Sequence, residues 1–190
     1  MPKILKDEII YRTVVKEICK SGYAGATTKQ MAEAADVSEM TLYRKYGGKF
    51  QLVKQAMLYI IENSDLNSAI HYTGDVYTDL IRILHAYQES AISNEQVLIT
   101  LFAELPRYPE LKELLDIPTK VHIRIANLLA KYQSEGVLKH EHPYHSVAAL
   151  IGPFIYSHMM KNSITDNMIP PIEIQSHVKL FLEVRLIITD

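Results

Sequence analysis

Hydroxyl, tyrosine and basic side chains are concentrated between residues 22 and 49 of this 190-residue chain. Hydroxyl, amine and guanidinium groups donate hydrogen bonds to phosphate oxygens, and carboxylate and hydroxyl groups can read the edges of bases. This chemistry suits the binding of nucleic acid, and the rest of the chain carries no comparable signal. The side chains of these types include Thr27, Thr28, Lys29, Ser38, Thr41, Tyr43, Arg44, Lys45 and Lys49.

Two short helices joined by a tight turn must position these side chains. Thr27 and Gln30 have the spacing of a capping box, which predicts that a helix begins after Thr27. Asp36 lies at the expected turn, and Ser38 is a suitable N-cap for the next helix, which Gly47-Gly48 ends. This layout is that of a helix-turn-helix, whose second helix enters the major groove of DNA.

Charge is distributed unevenly along the chain. Residues 1–55 contain ten Lys and Arg and six Asp and Glu, which gives +4. The whole chain has 20 basic and 22 acidic residues, so the remaining part has 10 minus 16, or −6. A basic N-terminal part is consistent with an electrostatic footprint for DNA at that end.

An ordered series of residues in the N-terminal part carries a family resemblance. Over roughly residues 5–55 the chain resembles the tetracycline-repressor (TetR) family of transcriptional regulators. The resemblance implies an all-α fold with a three-helix DNA-binding domain at 1–48 and a helical effector-binding and dimerisation domain at 49–190. The matching residues are Gly22, Thr27-Thr28, Met31-Ala32, Val37-Ser38, Thr41-Leu42-Tyr43, Tyr46 and Lys49.

The resemblance also implies roles for individual residues. Thr28 and Lys29 would contact backbone phosphates, where the start of a helix favours anions. Tyr43 and Lys49 would hold phosphates on either side of the groove. The groove-facing positions would be those of Glu39, Met40, Thr41 and Lys45, with Thr27 and Ser38 at the helix starts.

Base chemistry at the groove-facing positions is reasonable in its own right. Glu39 can accept from a cytosine amino group, and Met40 and Thr41 can pack against a thymine methyl group. Arg44 could read guanine, neutralise a phosphate or remain a solvated charge, and Met40 could be only a spacer. The family usually has Gly at the position of Asp36 and a small residue at that of Met40. Because Asp tolerates left-handed conformations, the turn is expected to form with Asp36 in place of Gly. The departure at Met40 leaves open which DNA sequence is bound, not whether DNA is bound.

Helical periodicity continues along the chain and predicts about nine helices in all. A first helix is expected from Ile4 to Ser21-Gly22, and a long helix from Lys49 that fades into a polar stretch near 67–74. Pro118 could bend, and Gly136 is expected to cap, a helix at 111–134. The remaining helices are predicted at 76–91, 95–105, 143–161 and 171–188.

The last two predicted helices offer apolar surface for a partner. Helix 171–188 is apolar on more than one face, so it is either wholly buried or shared with a second subunit. We expect a homodimer in which the last two helices of each subunit form a four-helix bundle. An ordinary monomer core is the alternative.

The predicted body also contains amphipathic side chains that could surround a small molecule. It has no cluster of Lys or Arg that would imply a strongly anionic compound, so a hydrophobic or aromatic effector is expected. Core packing is the alternative role for each candidate. The candidates are Tyr87, Phe102, His122, Phe154, Tyr156, His158 and Met159.

Other classes of function are disfavoured by what the sequence lacks. It has no Gly-rich phosphate loop, nucleophile elbow or HExxH motif, so neither an enzyme nor a cofactor is expected. Cys19 is the single cysteine, and the longest apolar run, 147–156, is too short to span a membrane, so a cytoplasmic protein is expected. The histidines His140, His142 and His145 are interpreted as solvated loop residues rather than as a metal site.

Together these interpretations predict a ligand-responsive transcriptional repressor. It would bind a palindromic double-stranded DNA operator as a homodimer and leave that operator when a small effector binds. A regulator that activates, or that acts through protein partners, is the alternative.

Overall fold

The computed structural model describes residues 7–163 and 169–187, without the side chains of 91–96 and 161–163. The predicted start of the first helix at Ile4 and the predicted end of the last helix at Ile188 lie outside these residues. In the described part, nine helices follow one another and no strand is present. They are α1 (Asp7–Gly25), α2 (Thr28–Ala34), α3 (Glu39–Tyr46), α4 (Lys49–Glu62), α5 (Asp65–Ala69), α6 (Val76–Glu104), α7 (Leu111–Ser134), α8 (Pro143–Ser163) and α9 (Ile174–Glu183). The all-α prediction is confirmed.

Several predicted boundaries differ from the observed ones. Helix α6 runs unbroken over 29 residues, so the prediction of two helices at 76–91 and 95–105 was wrong. The polar residues between them include neither Gly nor Pro, and each costs a helix only a few tenths of a kcal/mol. The first helix continues past Ser21 to Gly25 with a kink at Gly22, where φ is 73°. The helix from Lys49 ends at Glu62, earlier than predicted, and the short helix α5 overlaps the start of the polar stretch 67–74.

The last helix is also shorter than its apolar sequence predicts. It ends at Glu183, and the following residues return to pair with the segment after α7. The Lys139 N–H donates to the Arg185 carbonyl at 2.7 Å, and the Ile187 N–H donates to the Val137 carbonyl at 3.1 Å. These main-chain bonds satisfy groups that a longer helix would have paired internally.

The chain forms two compact units. The first comprises the chain up to Asn63 together with Gln96–Ile117, and the second comprises Ser64–Glu95 and the chain from Pro118 onwards. A division of labour at residues 48 and 49 remains a prediction, since compactness alone does not identify what binds DNA or effector. In the first unit, α1 packs on α4, and the neighbouring ends of α6 and α7 contribute to the same buried cluster. Its fully buried members include Val14, Ile18, Leu52, Leu101, Leu111 and Leu114.

The second unit contains a buried carboxylate, that of Asp79, which is 0% exposed. It accepts from the Thr73 N–H at 2.9 Å, the Thr73 hydroxyl at 2.6 Å, the Tyr132 hydroxyl and the Arg82 guanidinium at 2.8 Å. Burial acts to raise the pKa of Asp79, but the hydrogen bonds from Thr73, Tyr132 and Arg82 outweigh it and leave the pKa lowered. This carboxylate therefore joins the loop before α6 to α7.

Replacing Tyr132 by phenylalanine should lower the free energy of unfolding by about 1–3 kcal/mol, because a buried carboxylate then loses one of its donors. Urea denaturation followed by circular dichroism measures the change. Tyr144→Phe is the matched control, since that side chain is exposed and its loss of a hydroxyl should cost less than about 0.5 kcal/mol. Equal effects of the two substitutions would contradict the proposed importance of Asp79.

Candidate nucleic-acid interface

The start of α2 is fixed by a complete capping box. The Thr27 hydroxyl accepts from the Gln30 N–H at 3.2 Å, and the Gln30 side-chain oxygen accepts from the Thr27 N–H at 2.9 Å. This reciprocal pair satisfies backbone donors that a helix start leaves unpaired. The predicted cap is therefore present, and the Thr27 hydroxyl is held at the N-terminus of α2.

The turn into α3 depends on Asp36 and Ser38. Asp36 adopts φ 57°, a left-handed conformation that few residues other than glycine adopt and that Asp tolerates better than most. Ser38 caps α3 by accepting from the Thr41 N–H at 3.2 Å, and its hydroxyl lies 2.8 Å from the Thr41 hydroxyl. At the other end, Gly47 takes φ 78° and donates its N–H to the Tyr43 carbonyl. Helix α3 is thus defined at both ends by local hydrogen bonds.

The outer face of α3 combines apolar, aromatic and basic side chains. Met40 is 74% exposed and Tyr43 is 62% exposed, whereas Leu42 is buried in the core of the first unit. Arg44 is exposed, and among the described residues no partner is seen for its guanidinium. Large apolar side chains held in water mark a binding surface when polar groups flank them. These three side chains can reach a groove without any change in the core.

Five other candidate residues have partners within the protein. The Thr28 hydroxyl donates to Glu39, which joins the start of α2 to the start of α3. The Lys45 ammonium pairs with Asp7 of α1, and the Lys49 ammonium donates to the Tyr23 carbonyl. Lys29 is exposed, and its ammonium lies 4.0 Å from Glu33, one turn along α2.

Lys49 needs separate description because the resemblance assigns it to a phosphate. Its ammonium lies 4.4 Å from the centre of the Tyr23 ring, and its side chain is half-buried. Burial lowers the pKa of Lys49, while the charge of Glu104 acts to raise it. The structure therefore directs this cation towards the end of α1. The sequence contains no local pattern that singles out Glu104, because its carboxylate accepts a hydrogen bond from the N–H of Tyr23, 81 residues earlier.

The seven candidate effector residues differ in their burial and in their ring contacts. The rings of Tyr87 and His122 stack with centroids 6.4 Å apart, and burial lowers the pKa of His122. Phe154 is buried and makes an edge contact with His177 at 5.4 Å. His158 is half-buried. The exposed candidates are Phe102, which belongs to the first unit, and Tyr156 and Met159 of the second.

Two of the three histidines after α7, His142 and His145, contact neighbouring rings. His142 has its ring centroid 5.8 Å from that of Tyr144 and 5.2 Å from that of His145. Within residues 7–163 and 169–187, no group of three or more His, Cys, Asp or Glu side chains is arranged to hold a metal ion. None of the helices in that part of the chain is both long and apolar enough to cross a membrane.

Comparisons with known proteins agree with this geometry. A model of the tetR family of bacterial regulatory proteins matches residues 10–56, the segment that contains the helix-turn-helix. The chain is 26% identical over 145 residues to the uncharacterized HTH-type transcriptional regulator YvkB of Bacillus subtilis (strain 168), a match that covers 73% of this chain and 76% of YvkB.

Solved structures share the fold over nearly the whole chain. A TetR-family regulator from Rhodococcus sp. superposes with a TM-score of 0.75 at 19% identity, covering 94% of this chain and 97% of that one. A structure from Clostridium perfringens, named for the regulation of fatty acid metabolism, superposes with a TM-score of 0.72 at 18% identity, covering 92% and 94%. Identities this low establish the fold alone.

The capped helix-turn-helix, the family model that matches it and the related regulator together identify the class of protein. Members of this class are DNA-binding transcriptional regulators that form dimers, and they are not enzymes. Residues 10–56 of the chain form a DNA-binding domain of the TetR family of bacterial regulatory proteins.

Proposed function

We propose that the protein is a homodimeric repressor that binds a palindromic operator through α3 of each subunit and is released by a small hydrophobic effector. The observation that carries the proposal is the outer face of α3, where Met40, Tyr43 and Arg44 are exposed on a helix capped at both ends. Such a helix presents base-reading and phosphate-binding groups in a fixed register. Cytoplasmic location and repression are part of the proposal.

The proposed dimer interface is the exposed apolar surface of α8 and α9. These helices pack together, with the His177 ring nitrogen 2.8 Å from the Leu150 carbonyl. Leu180 is 64% exposed and Val184 is 61% exposed, and Tyr156 and Met159 are exposed on α8. An apolar surface of this kind is favourable when a second copy covers it, and a two-fold dimer would bring two copies of α3 to successive half-sites.

The proposed effector site is centred on Tyr87 and His122, between α6 and α7 of the second unit. Because burial lowers the pKa of His122, its imidazole is neutral at pH 7 and offers hydrogen bonding without charge. An aromatic pair of this type favours an apolar or aromatic compound over an anion. Such a compound lowers DNA affinity only if it binds the DNA-incompetent conformation more tightly.

Selection of bound sequences from random double-stranded DNA tests the DNA part of the proposal. We expect an enriched palindrome whose half-site centres lie about one helical turn, or a multiple of it, apart. Enrichment of a single half-site would contradict binding as a symmetric dimer. The enriched operator then serves to screen apolar and aromatic compounds for release, with fatty acids included because one structural neighbour is named for fatty acid metabolism. A compound that tightens binding instead would contradict effector-induced release.

A further inference from the structure

The carboxylate of Glu104 accepts two backbone hydrogen bonds at the kinked end of α1. One oxygen accepts from the Tyr23 N–H at 2.5 Å, and the other accepts from the Ala24 N–H at 2.8 Å. Gly22, immediately before them, has φ 73°, and this left-handed residue turns the two following N–H groups towards one acceptor. Two successive N–H groups that point towards one acceptor can bind an anion, and here the Glu104 carboxylate of the same chain is that anion.

Gly22 is required by this contact for a second reason. A Cβ atom at this position would lie closer to the nearer Glu104 oxygen than Cβ atoms in proteins approach their neighbours. The carboxylate therefore fits against the kink only because the residue there has no side chain. Conformation and close approach both favour glycine at this position.

Tyr23 is held on its other sides as well. Its carbonyl accepts from the ammonium of Lys49, the first residue of α4. Its ring makes an edge contact with Tyr108, whose centroid lies 5.5 Å away in the turn after α6. The peptide groups and the ring of one residue are thus fixed from α4, from the end of α6 and from the turn that follows. We call this contact set, made of Gly22, Tyr23, Ala24, Lys49, Glu104 and Tyr108, the Glu104 clamp.

The position of the Glu104 clamp relates it to DNA recognition. Tyr23 and Ala24 precede Thr27, the N-cap of α2, by only a few residues, and Ala26 between them is fully buried. Helix α2 in turn contacts α3 through Thr28 and Glu39. Any shift of residues 23 and 24 is therefore passed to the start of the helix-turn-helix over a short, packed path.

We propose that Glu104 is a positioning residue for DNA recognition, whose carboxylate on the body helix α6 fixes the end of α1 and thereby the reading geometry of α2 and α3. This inference rests on the proposed DNA-binding function, and it adds a residue that makes no contact with DNA. Specific affinity then depends on a group that the binding surface does not contain.

The direction in which DNA affinity changes distinguishes a positioning role of Glu104 from a purely electrostatic one. As a charge alone, Glu104 repels phosphates, so its neutralisation would tighten binding to every DNA sequence. As a positioning group, its loss weakens binding to the operator and leaves binding to random DNA equal or tighter. Glu104→Gln is the informative change, because the amide keeps the size of the side chain but can accept only one of the two N–H groups.

Glu110→Gln is the matched control, because it also removes a negative charge that acts on Tyr23. Glu110 is exposed in the turn after α6 and acts on Tyr23 only through its charge. We expect Glu104→Gln to lower the ratio of operator to random-DNA affinity by about 10-fold, the effect of one lost charged hydrogen bond. The control should leave that ratio within about two-fold. An unchanged ratio in Glu104→Gln, or an equal change in both variants, would overturn the positioning role.

Hydrogen exchange of the Tyr23 and Ala24 amides tests the Glu104 clamp without DNA. The exchange of at least one of the two should become at least about 10-fold faster in Glu104→Gln, because the amide oxygen accepts from only one of them, and both should stay unchanged in Glu110→Gln. Unchanged exchange in Glu104→Gln would overturn the clamp itself. If the wild-type protein selects no DNA sequence, the proposed function fails and the positioning role fails with it, whatever the exchange rates are.

Discussion

Replacing Tyr43 and Arg44 together by alanine should abolish sequence-specific DNA binding and leave the fold unchanged. Both side chains are exposed on the outer face of α3, so their removal leaves the buried cluster of the first unit intact. Exposed substitutions of this kind usually change stability by no more than about 0.5 kcal/mol. Two lost contacts to phosphate or base, each worth roughly 1–3 kcal/mol, should weaken operator affinity by about 100-fold or more.

The dependence of affinity on salt gives the second readout. Loss of the Arg44 contact should reduce the slope of log affinity against log salt concentration by about 1, because one fewer counterion is released. Arg107→Ala is the control, since that arginine is also exposed in the first unit but lies in the turn after α6. Affinity and salt slope that stay at wild-type values in the double variant would exclude α3 as the reading helix.

Arg44 is a better partner for this experiment than Lys49. The resemblance gives Lys49 a phosphate-binding role, but its ammonium donates to the Tyr23 carbonyl and lies over the Tyr23 ring. A change at Lys49 would therefore combine a lost cation with a loosened end of α1. The Arg44 guanidinium has no partner among the described residues, so its replacement tests only what it contacts outside the protein.

The features that the sequence predicted well depend on short-range hydrogen bonds. The capping box of Thr27 and Gln30, the Ser38 cap and the left-handed Gly47 all involve groups within four residues of each other. Residue type and spacing are sufficient for such motifs, because the chain itself brings the partners together. The same is true of Asp36, whose φ of 57° follows from its place between two helices.

The features that the sequence could not predict depend on long-range contacts. Glu104 meets Tyr23 across 81 residues, and Tyr132 meets Asp79 across 53. The length of α9 was also mispredicted, since its apolar continuation pairs with the segment after α7 instead of extending the helix. No local pattern distinguishes a carboxylate that accepts such bonds from the many that are simply solvated.

The charge count of the N-terminal part overstates how many of its cations are available to DNA. The count of +4 over residues 1–55 treats every cation as available to DNA. Lys45 pairs with Asp7, and Lys54 pairs with Glu113, which lies outside that segment in sequence but inside the first unit. Specific binding should therefore depend on the few outward cations of α2 and α3 more than on a broad basic surface.

Replacing Leu180 by glutamate should convert the dimer to monomer. With about 100° between successive residues, Leu180 lies on the side of α9 away from the buried Val178 and Leu182. A two-fold interface uses the same surface twice, so one substitution introduces two carboxylates into it. Like charges brought together in an apolar interface cost several kcal/mol, so the dimer should dissociate about 1,000-fold more readily.

Sedimentation equilibrium measures this change, and operator binding should weaken with it, because a monomer engages only one half-site. Gln175→Glu is the control, because it adds the same charge on a different side of α9, in the first turn, where a negative charge stabilises the helix. The mass of the dimer and its operator affinity should both stay unchanged. The substitution of Leu180 lies outside the first unit, so α3 itself should be unaffected. A Leu180→Glu protein that remains dimeric and keeps its operator affinity would place the subunit interface elsewhere. Loss of the dimer with full operator affinity would instead show that one helix-turn-helix is sufficient.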